Sequence, residues 1–597
     1  MTRPRLLRIR LLLCLLPSAF CLLGSVSFAA TPIPEGANAN DAPAFIGTPA
    51  VQQPVFVPQP PRHPHMAPNE RSNLHVDAYQ TDANPLAGPL GKGITRVSAF
   101  HSADCASVTF DSRGRIVVVC VGLQGPGAGG AGLYMLDPKT LDELAKLDLP
   151  GRQPGISTDL FTDFSGGGYF YLDDQDRAVI PTTTRHILVV AETGAQPGFT
   201  IQRDYDVSGA VPSDDKIISA LPDWSGRLWF ASMAGIVGTV DPASGTVKSM
   251  DMKEKIGNSF AVDETGAVYI VTDGALYALR AGSDGTPRRV WRSTYLNDGR
   301  AKPGQTELGS GTTPTVMTTG PWVTITDNSD PIDVVVYNRV TGAQVCAVPA
   351  FSRGASDTDQ SLNVAGNAIV VENNYGYSGP AATEQGKSTT PGLERIDVNS
   401  NGKGCHKVWH SDEIAPSVVP KISLANGLVY TYTKPAGESS DPWYLTALDF
   451  RTGRTIYKAR AGAGLGFNNN YAPVTIGPDG TAYVGVLGGL VALRDSTPPP
   501  QVPQSRGRSR LTLRARYGRR HRCSARRAFS VRLAGVQRGQ VKSVVFTYHG
   551  KRVRDRRAPF AARFRVGPAR LGRRVTARVT LRGGGHRKLS RVVRPCR

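Results

Sequence analysis

The sequence predicts an all-β protein, with a seven- or eight-bladed β-propeller followed by a smaller C-terminal β-sandwich domain. Three observations lead to this prediction. Short runs of β-branched and aromatic residues alternate with Gly, Asp, Asn and Pro turns between Ile94 and Arg494. Related strand–turn–strand units recur there about every 40 to 60 residues. Almost no stretch of the same region has the periodicity of an amphipathic helix.

Residues 1–30 have the pattern of a secretory signal peptide. A basic start that ends at Arg10 precedes an apolar run from Leu11 to about Leu23, and small residues follow at Ala29 and Ala30. The apolar run is too short for a good membrane span. The pattern predicts a secreted or extracytoplasmic protein with no membrane span once the signal is removed.

Residues 31–93 are rich in Pro, Ala, Asn and Gln and have neither strand nor helix periodicity. This composition predicts an extended, largely disordered arm in front of the propeller.

Repeats within residues 94–496 decide the fold. Clear copies are Gly226-Arg-Leu-Trp-Phe-Ala231 and Gly266-Ala-Val-Tyr-Ile-Val271, and Gly480-Thr-Ala-Tyr-Val484 begins the final unit. One such sheet cannot bury both of its faces, whereas sheets arranged radially cover each other, as in a propeller. The final unit is one strand short, and Ile94–Phe100 is expected to supply the strand that closes the ring.

Two segments resemble the PQQ-type repeat of quinoprotein-like propellers. They are Ala447-Leu-Asp-Phe-Arg-Thr-Gly-Arg-Thr-Ile-Tyr457 and Tyr483-Val-Gly-Val-Leu-Gly-Gly-Leu-Val-Ala-Leu493. The resemblance extends over roughly residues 100–495 and implies the propeller fold. The chain lacks the adjacent Cys-Cys pair of the quinone-dependent alcohol dehydrogenases and keeps few repeat tryptophans, such as Trp291 and Trp409. These departures argue against PQQ as a cofactor.

A Pro-rich linker, residues 497–507, leads to a basic C-terminal domain, residues 508–597. Strand-like runs such as Val544–Tyr548 and Val575–Leu581 fill this domain, with Cys523 and Cys596 near its ends. The pattern predicts an immunoglobulin-like sandwich.

Six cysteines remain after the signal peptide, and an even number in an exported chain favours disulfides. Six cysteines allow 15 connectivities. Proximity within the repeats favours Cys105–Cys120, Cys346–Cys405 and Cys523–Cys596.

Positive charge is concentrated at the C-terminus. Residues 501–597 contain 30 lysines and arginines but a single acid, Asp555, whereas the propeller region is mildly acidic. Such a surface can bind an anionic cell-wall polymer or lipid surface, or it can simply be well solvated. Export argues against nucleic acid as the natural partner. The residues expected to contact a polyanion are Arg506, Arg508, Arg519, Arg520, Arg552 and Arg554.

One face of the predicted propeller is rich in amides and carboxylates. Loops that follow second strands and connections that lead into first strands emerge together around the channel. The candidate residues are Asp327, Asn328, Glu372 and Asn373 after second strands, and Asn258 and Asn470 before first strands. Their oxygens could converge on Ca²⁺ or on a polar ligand such as a sugar. The same residue types also build ordinary turns.

Two classes of function follow from this pattern. The first is a binding or scaffold protein that holds a polar small molecule, a glycan or a partner protein on its channel face, while the basic domain retains it at the cell envelope. The second is an enzyme that uses the same channel residues, either a calcium-dependent lactonase or hydrolase or a PQQ-type oxidoreductase. The sequence leaves open whether the protein is an enzyme.

Overall fold

The structure, a computed structural model of the chain, describes residues 29–36, 38–122, 129–152, 161–163, 165–194, 196–502, 512–516, 529–534, 541–557, 559–565, 574–581 and 586–593. Regular structure in these ranges is almost all strand. Short 3-10 helices occur at Ala39–Asp41, Asn69–Arg71, Pro380–Thr383 and Leu465–Phe467. The predicted all-β class is confirmed.

Three strands precede the repeats: β1 (Phe45–Gly47), β2 (Ala83–Asn84) and β3 (Thr95–Phe100). The described residues of the repeat region form eight sheets, numbered here in chain order. Seven have four antiparallel strands, and sheet 7 has six strands. Sheet 1 contains β4 (Ala103–Phe110), β5 (Ile116–Gly122), β6 (Ala131–Leu136) and β7 (Glu143–Leu149). Sheet 2 contains β8 (Tyr171–Leu172), β9 (Ala178–Pro181), β10 (His186–Glu192) and β11 (Phe199–Asp206). Sheet 3 contains β12 (Ile217–Pro222), β13 (Leu228–Ser232), β14 (Ile236–Val240) and β15 (Val247–Asp251). Sheet 4 contains β16 (Ala261–Val262), β17 (Val268–Val271), β18 (Ala275–Ala281) and β19 (Pro287–Thr294).

The second half repeats the arrangement. Sheet 5 contains β20 (Thr315–Val316), β21 (Trp322–Thr326), β22 (Asp333–Asn338) and β23 (Gln344–Pro349). Sheet 6 contains β24 (Asn363–Ala365), β25 (Ala368–Glu372), β26 (Leu393–Val398) and β27 (Cys405–Ser411). Sheet 7 contains β28 (Lys421–Ser423), β29 (Leu428–Thr433), β30 (Pro442–Asp449) and β31 (Thr455–Ala463), with β1 and β2 added at its two edges. Sheet 8 contains β32 (Val474–Ile476), β33 (Ala482–Val486), β34 (Gly489–Arg494) and β3.

Sheet 8 takes its fourth strand from the opposite end of the repeat region. β3 pairs antiparallel with β34, from Thr95 opposite Arg494 to Phe100 opposite Gly489. Strands β33 and β34 also pack against β4, which joins sheet 8 to sheet 1. Because successive sheets contact each other and the last contacts the first, the series closes into a ring. The β-propeller prediction is confirmed, and β3 is the closing strand that the sequence indicated.

A recurrent turn joins the first and second strands of sheets 1 to 4. An Asp after the first strand accepts backbone N–H bonds from the residues two and four positions later. The residue three positions later has a positive φ, which favours Gly. The four carboxylates are those of Asp111, Asp173, Asp223 and Asp263. The repeats therefore share local turn chemistry as well as apolar strands.

Residues 31–93 do not form the extended, largely disordered arm that their composition predicted. β1 pairs with the outer strand β31, and β2 pairs in parallel with the inner strand β28. Every residue from Ser72 to Asn84 is buried. The sequence of this segment has no helical or strand periodicity. It did not show that the backbone groups of this segment would be satisfied by the propeller.

Two of the three predicted cysteine pairs are joined. Cys105 and Cys120 link β4 to β5 within sheet 1, with their Cα atoms 4.0 Å apart. Cys346 and Cys405 link the outer strands of sheets 5 and 6, with their Cα atoms 5.9 Å apart. The predicted Cys523–Cys596 pair lies outside the described residues, as does the predicted signal peptide up to residue 28.

The C-terminal region contains two sheets around one apolar core. One consists of β35 (Thr512–Arg516), β36 (Phe529–Ala534) and β39 (Ala561–Phe564). The other consists of β37 (Val541–Tyr548), β38 (Lys551–Asp555), β40 (Arg574–Leu581) and β41 (His586–Val592). Phe529, Val531, Val544, Phe546 and Val579 are among the buried residues that fill the space between them. In the described ranges, no helix is both long and apolar enough to cross a bilayer.

Candidate functional site

The channel of the ring has two distinct ends. In each sheet the first strand is innermost, and the turn after it defines the lower face. The loops that lead into first strands, and those that join second to third strands, lie on the upper face. This topology decides which loops can meet over the channel.

The lower end of the channel is closed by residues 72–84, here called the channel segment. Its carbonyl oxygens accept N–H bonds from the innermost strands of four successive sheets. The pairs, donor first, are Val262 with Ala78, Val316 with Tyr79, Val364 with Thr81, and Ile422 with Asp82. On the other side of the ring, Leu172 donates to Ser72. The segment therefore crosses the channel and is bound to sheets 2, 4, 5, 6 and 7.

A buried ionic group holds the channel segment. Asp82 forms an ion pair with Lys421 of β28, and its other oxygen lies 2.9 Å from Nδ1 of His75. The side chains of these three residues are almost fully inaccessible. Burial lowers the pKa of Lys421, and the neighbouring Asp82 carboxylate acts in the opposite direction. Because neither charge is solvated, each depends on the other.

The upper end of the channel contains a cavity of about 330 Å³. Loops from four sheets line it: Phe161 and Thr162 before sheet 2, Lys302–Gln305 before sheet 5, Tyr377–Ala381 within sheet 6, and Asn470 and Tyr471 before sheet 8. These sheets lie on different sides of the ring, so the cavity lies over the channel. Its volume is in the range of small-molecule sites.

Aromatic and amide groups form one wall of this cavity. Tyr377 and Tyr471 meet edge to face, with ring centroids 5.3 Å apart. The Tyr377 hydroxyl donates to Oδ1 of Asn468 at 2.8 Å and of Asn470 at 3.1 Å. Asn470 and Tyr471 have φ values of 39° and 68°. Consecutive non-glycine residues in this region carry backbone strain, which is concentrated at functional sites in proteins.

Charged groups lie at the side of the cavity formed by the loop before sheet 5. The Lys302 ammonium donates to the carbonyl of Ser329, and its burial lowers its pKa. A Cβ atom added at Gly304 would lie 2.6 Å from Oδ1 of Asp357, so this carboxylate lies directly behind the cavity wall. Burial, reinforced by Asp359, raises the pKa of Asp357 to about 8. Burial likewise raises the pKa of Asp359 to about 7. Near neutral pH this side is therefore less anionic than its sequence suggests.

Asp327 and Asn328, the predicted site residues after β21, form hydrogen bonds that stabilise loops. Oδ1 of Asp327 accepts from the Ser329 hydroxyl at 2.8 Å and the Asp333 amide at 2.7 Å. Burial raises the pKa of Asp327 to about 6. The Asn328 amide donates to Oδ1 of Asn297 at 3.0 Å.

The pair after β25 also makes structural contacts. Glu372 accepts from Asn374 at 3.1 Å and from Thr431 of sheet 7 at 3.3 Å, and burial raises its pKa well above the usual range. The Asn373 amide donates to the carbonyl of Ala355 at 3.0 Å.

The two asparagines before first strands have different surroundings. Asn258 accepts from the Tyr169 hydroxyl at 2.7 Å, away from the cavity wall. Asn470 lines the cavity and donates to the carbonyl of Phe161 at 3.3 Å. Of the six predicted site residues, Asn470 alone belongs to the cavity wall.

Some of the oxygens predicted to bind calcium are engaged by the protein itself. In the described part of the chain, no three His, Cys, Asp or Glu side chains lie in an arrangement that could hold a metal. Oδ1 of Asp327 and both carboxylate oxygens of Glu372 accept bonds from neighbouring donors. Calcium at these residues therefore stays a prediction.

Of the residues expected to contact a polyanion, Arg506, Arg508, Arg519 and Arg520 lie outside the described residues. Arg552 and Arg554 are exposed on β38.

Sequence reasoning missed Lys302, Tyr377 and Tyr471. For Lys302 and Tyr377 the missed signal was the length of the connections between Thr294 and Thr315 and between Glu372 and Leu393, which exceeds that of most other connections. Tyr471 lies in a shorter connection, between Ala463 and Val474. Long loops in a compact repeat architecture often carry function.

No protein-family model matches the chain. A curated protein of Archaeoglobus fulgidus, described only as uncharacterized, is 28% identical over 321 residues. The match covers 47% of this chain and 62% of that protein. The chain thus matches less than two thirds of the length of that relative.

Several solved structures are similar in part. BamB from Moraxella catarrhalis is 14% identical with a TM-score of 0.34, covering 54% of this chain and 89% of its own. Sqt1 from Saccharomyces cerevisiae is 13% identical with a TM-score of 0.38, covering 62% and 94%. A putative 6-phosphogluconolactonase from Bacteroides uniformis is 11% identical with a TM-score of 0.35, covering 57% and 94%. At these scores the likenesses support no inference about function, and the fold assignment here depends on the sheet topology.

Proposed function

We propose that this protein is an extracytoplasmic binding protein whose propeller holds a small polar ligand in the cavity over its channel. The cavity itself carries the proposal, because loops from four sheets converge on it while the channel segment closes the opposite end. Within the described residues, the channel segment therefore blocks access to the channel from the lower face.

The chemistry of the wall favours a sugar. Tyr471 and Phe161 offer aromatic surface, and Gln305, Ser378 and Asn470 supply amide and hydroxyl groups. Aromatic walls with a few placed polar groups are typical of sites that orient a polar ring. The two disulfides and the predicted signal peptide support a location outside the cytoplasm.

The remaining parts of the proposal concern architecture and retention. We infer that each of the eight sheets is one blade, and that the two C-terminal sheets are an immunoglobulin-like sandwich. The basic composition of this domain supports retention of the protein on an anionic polymer of the cell envelope.

Filling the cavity tests the binding role. Ala381 is exposed at the rim, so Ala381→Trp can occupy the cavity without disturbing the core. We expect the unaltered chain to bind at least one member of a panel of mono- and disaccharides in saturation-transfer NMR. The variant should bind it at least about tenfold more weakly, because steric exclusion removes most of the contact surface.

Ala343→Trp is the matched control, since Ala343 is also exposed but lies in a lower-face turn between β22 and β23. It should bind like the unaltered chain. Saccharide binding that survives in the Ala381 variant would place the ligand elsewhere, and the absence of any saccharide binding would reject a sugar site.

A further inference from the structure

The outer side of the four-stranded C-terminal sheet carries a row of cations. Val544 and Phe546 of β37 are buried in the core, so Val545 points to the opposite side. Val545 is opposite Arg554 on one side and Arg578 on the other, and Arg578 is opposite Lys588. Arg554, Arg578 and Lys588 are all exposed. The row therefore crosses all four strands, with cations on β38, β40 and β41 and Val545 on β37.

Other residues of the same side extend this row into a surface, here called the cationic face. Arg552 lies two residues before Arg554 on β38. Arg574 donates to the Ser590 hydroxyl at 2.9 Å, which places both on this side. The hydroxyls of Thr547 and Thr576 lie between the cations, opposite each other. Guanidinium forks surrounded by hydroxyl donors suit phosphate oxygens.

Within the described residues, no acid neutralises this face. Asp555 is the single acid after residue 500, and it accepts the backbone amides of Arg557 and Ala561. No ion pair involves Arg554, Arg578 or Lys588 in the described ranges. Arg578 and Lys588 lie directly opposite each other, and like charges in that position destabilise a sheet. An anion between them would relieve this repulsion.

We propose that the cationic face binds a linear polyol phosphate, a polymer whose repeats are joined by phosphodiesters. The inference deepens the retention role proposed above and depends on it. Neighbouring strands lie about 4.8 Å apart, so Arg554 and Arg578 are separated by about 10 Å, and Arg552 and Arg554 by about 7 Å. A flexible chain can place successive phosphates on cations at these separations.

Two other polyanionic partners fit less well. Single-stranded nucleic acid needs aromatic side chains for base stacking, and the described outer side contains no Phe, Tyr or Trp. A lipid surface is favoured by exposed apolar anchors, whereas the cationic face offers only Val545 and Val592.

Matched charge removal in the full chain tests the proposal. The test variant is Arg554→Ser/Arg578→Ser/Lys588→Ser. The control is Arg514→Ser/Arg532→Ser/Arg563→Ser, which removes the same charge from exposed positions on the three-stranded sheet. On immobilised poly(glycerol phosphate) at about 0.15 M salt, the test variant should bind about tenfold more weakly. The control should change affinity less than about twofold, because its residues lie on the other sheet.

Thermal melting supplies a second readout. Arg578→Ser alone should raise the melting temperature without polymer, because it removes the repulsion with Lys588, and should reduce the rise that polymer produces. Equal losses in the two triple variants would overturn the cationic face. Equally tight binding to polygalacturonate or DNA would overturn the phosphodiester specificity. If the unaltered chain binds none of these polymers, the retention role itself fails.

Discussion

Asp357, beside the cavity, is a carboxylic acid shielded from solvent. It is fully buried, and no hydrogen-bond donor among the described residues reaches either oxygen. Lys302 attracts its charge and Asp359 repels it, while burial disfavours the charged form most strongly. Its folded-state pKa of about 8 is therefore far above that of the unfolded chain.

This shift predicts a pH-dependent loss of stability. Between the unfolded and folded pKa values the folded state holds one more proton, so stability falls as pH rises from about 4 to about 8. Asp357→Asn should remove the contribution of this carboxyl to the pH dependence of the free energy of unfolding. Each pKa unit corresponds to about 1.4 kcal/mol, so the variant should be more stable by a few kcal/mol at pH ~8.5 and nearly unchanged at pH ~4.

Urea denaturation at the two pH values measures this difference. Asp174→Asn, in an exposed turn, is the control and should leave the slope unchanged. A slope that stays the same in the Asp357 variant would show that this carboxyl is solvated in the folded protein.

The strands of the ring could be predicted from the sequence, whereas the channel segment that binds to them could not. Apolar strands recur in each unit, a shared Asp-centred turn recurs in sheets 1 to 4, and the strand missing from the last unit indicated β3. The channel segment escaped prediction because its main-chain bonds to distant first strands leave no side-chain pattern in the sequence. Asn470, predicted from its residue type and position, lines the cavity. Asp327 instead accepts bonds within its own loop, and Glu372 accepts from Asn374 and from Thr431 of β29.

For the channel segment, the buried Asp82–Lys421 pair predicts that a single substitution greatly lowers the free energy of unfolding. Asp82→Asn leaves the Lys421 ammonium buried without its counter-ion, which typically costs about 3–5 kcal/mol. The double variant Asp82→Asn/Lys421→Met removes both charges and should recover much of that loss. Equilibrium unfolding of the full chain measures both. A single variant that loses less than about 1 kcal/mol would mean that the segment is not held inside the channel.

At the scale of the whole molecule, two kinds of contact hold the ring together. Main-chain hydrogen bonds pair β3 with β34 of sheet 8. A disulfide bond joins the outer strands of sheets 5 and 6. The Cys346–Cys405 bond spans 59 residues of sequence, against 15 for Cys105–Cys120. In the loop-entropy description the longer loop stabilises more, by about 4 kcal/mol against about 3. The bond between sheets should therefore matter more than the bond within one sheet.

Paired serine substitutions compare the two bonds directly. Cys346→Ser/Cys405→Ser should lower the free energy of unfolding by about 2–4 kcal/mol, because the unfolded chain regains the freedom of the longer loop. Cys105→Ser/Cys120→Ser reports on the shorter loop and serves as the internal comparison. Reductant should lower the free energy of unfolding of the unaltered chain, and each variant should show a smaller decrease. Free thiols at Cys346 and Cys405 in the purified protein would contradict the bond and remove its support for an oxidising compartment.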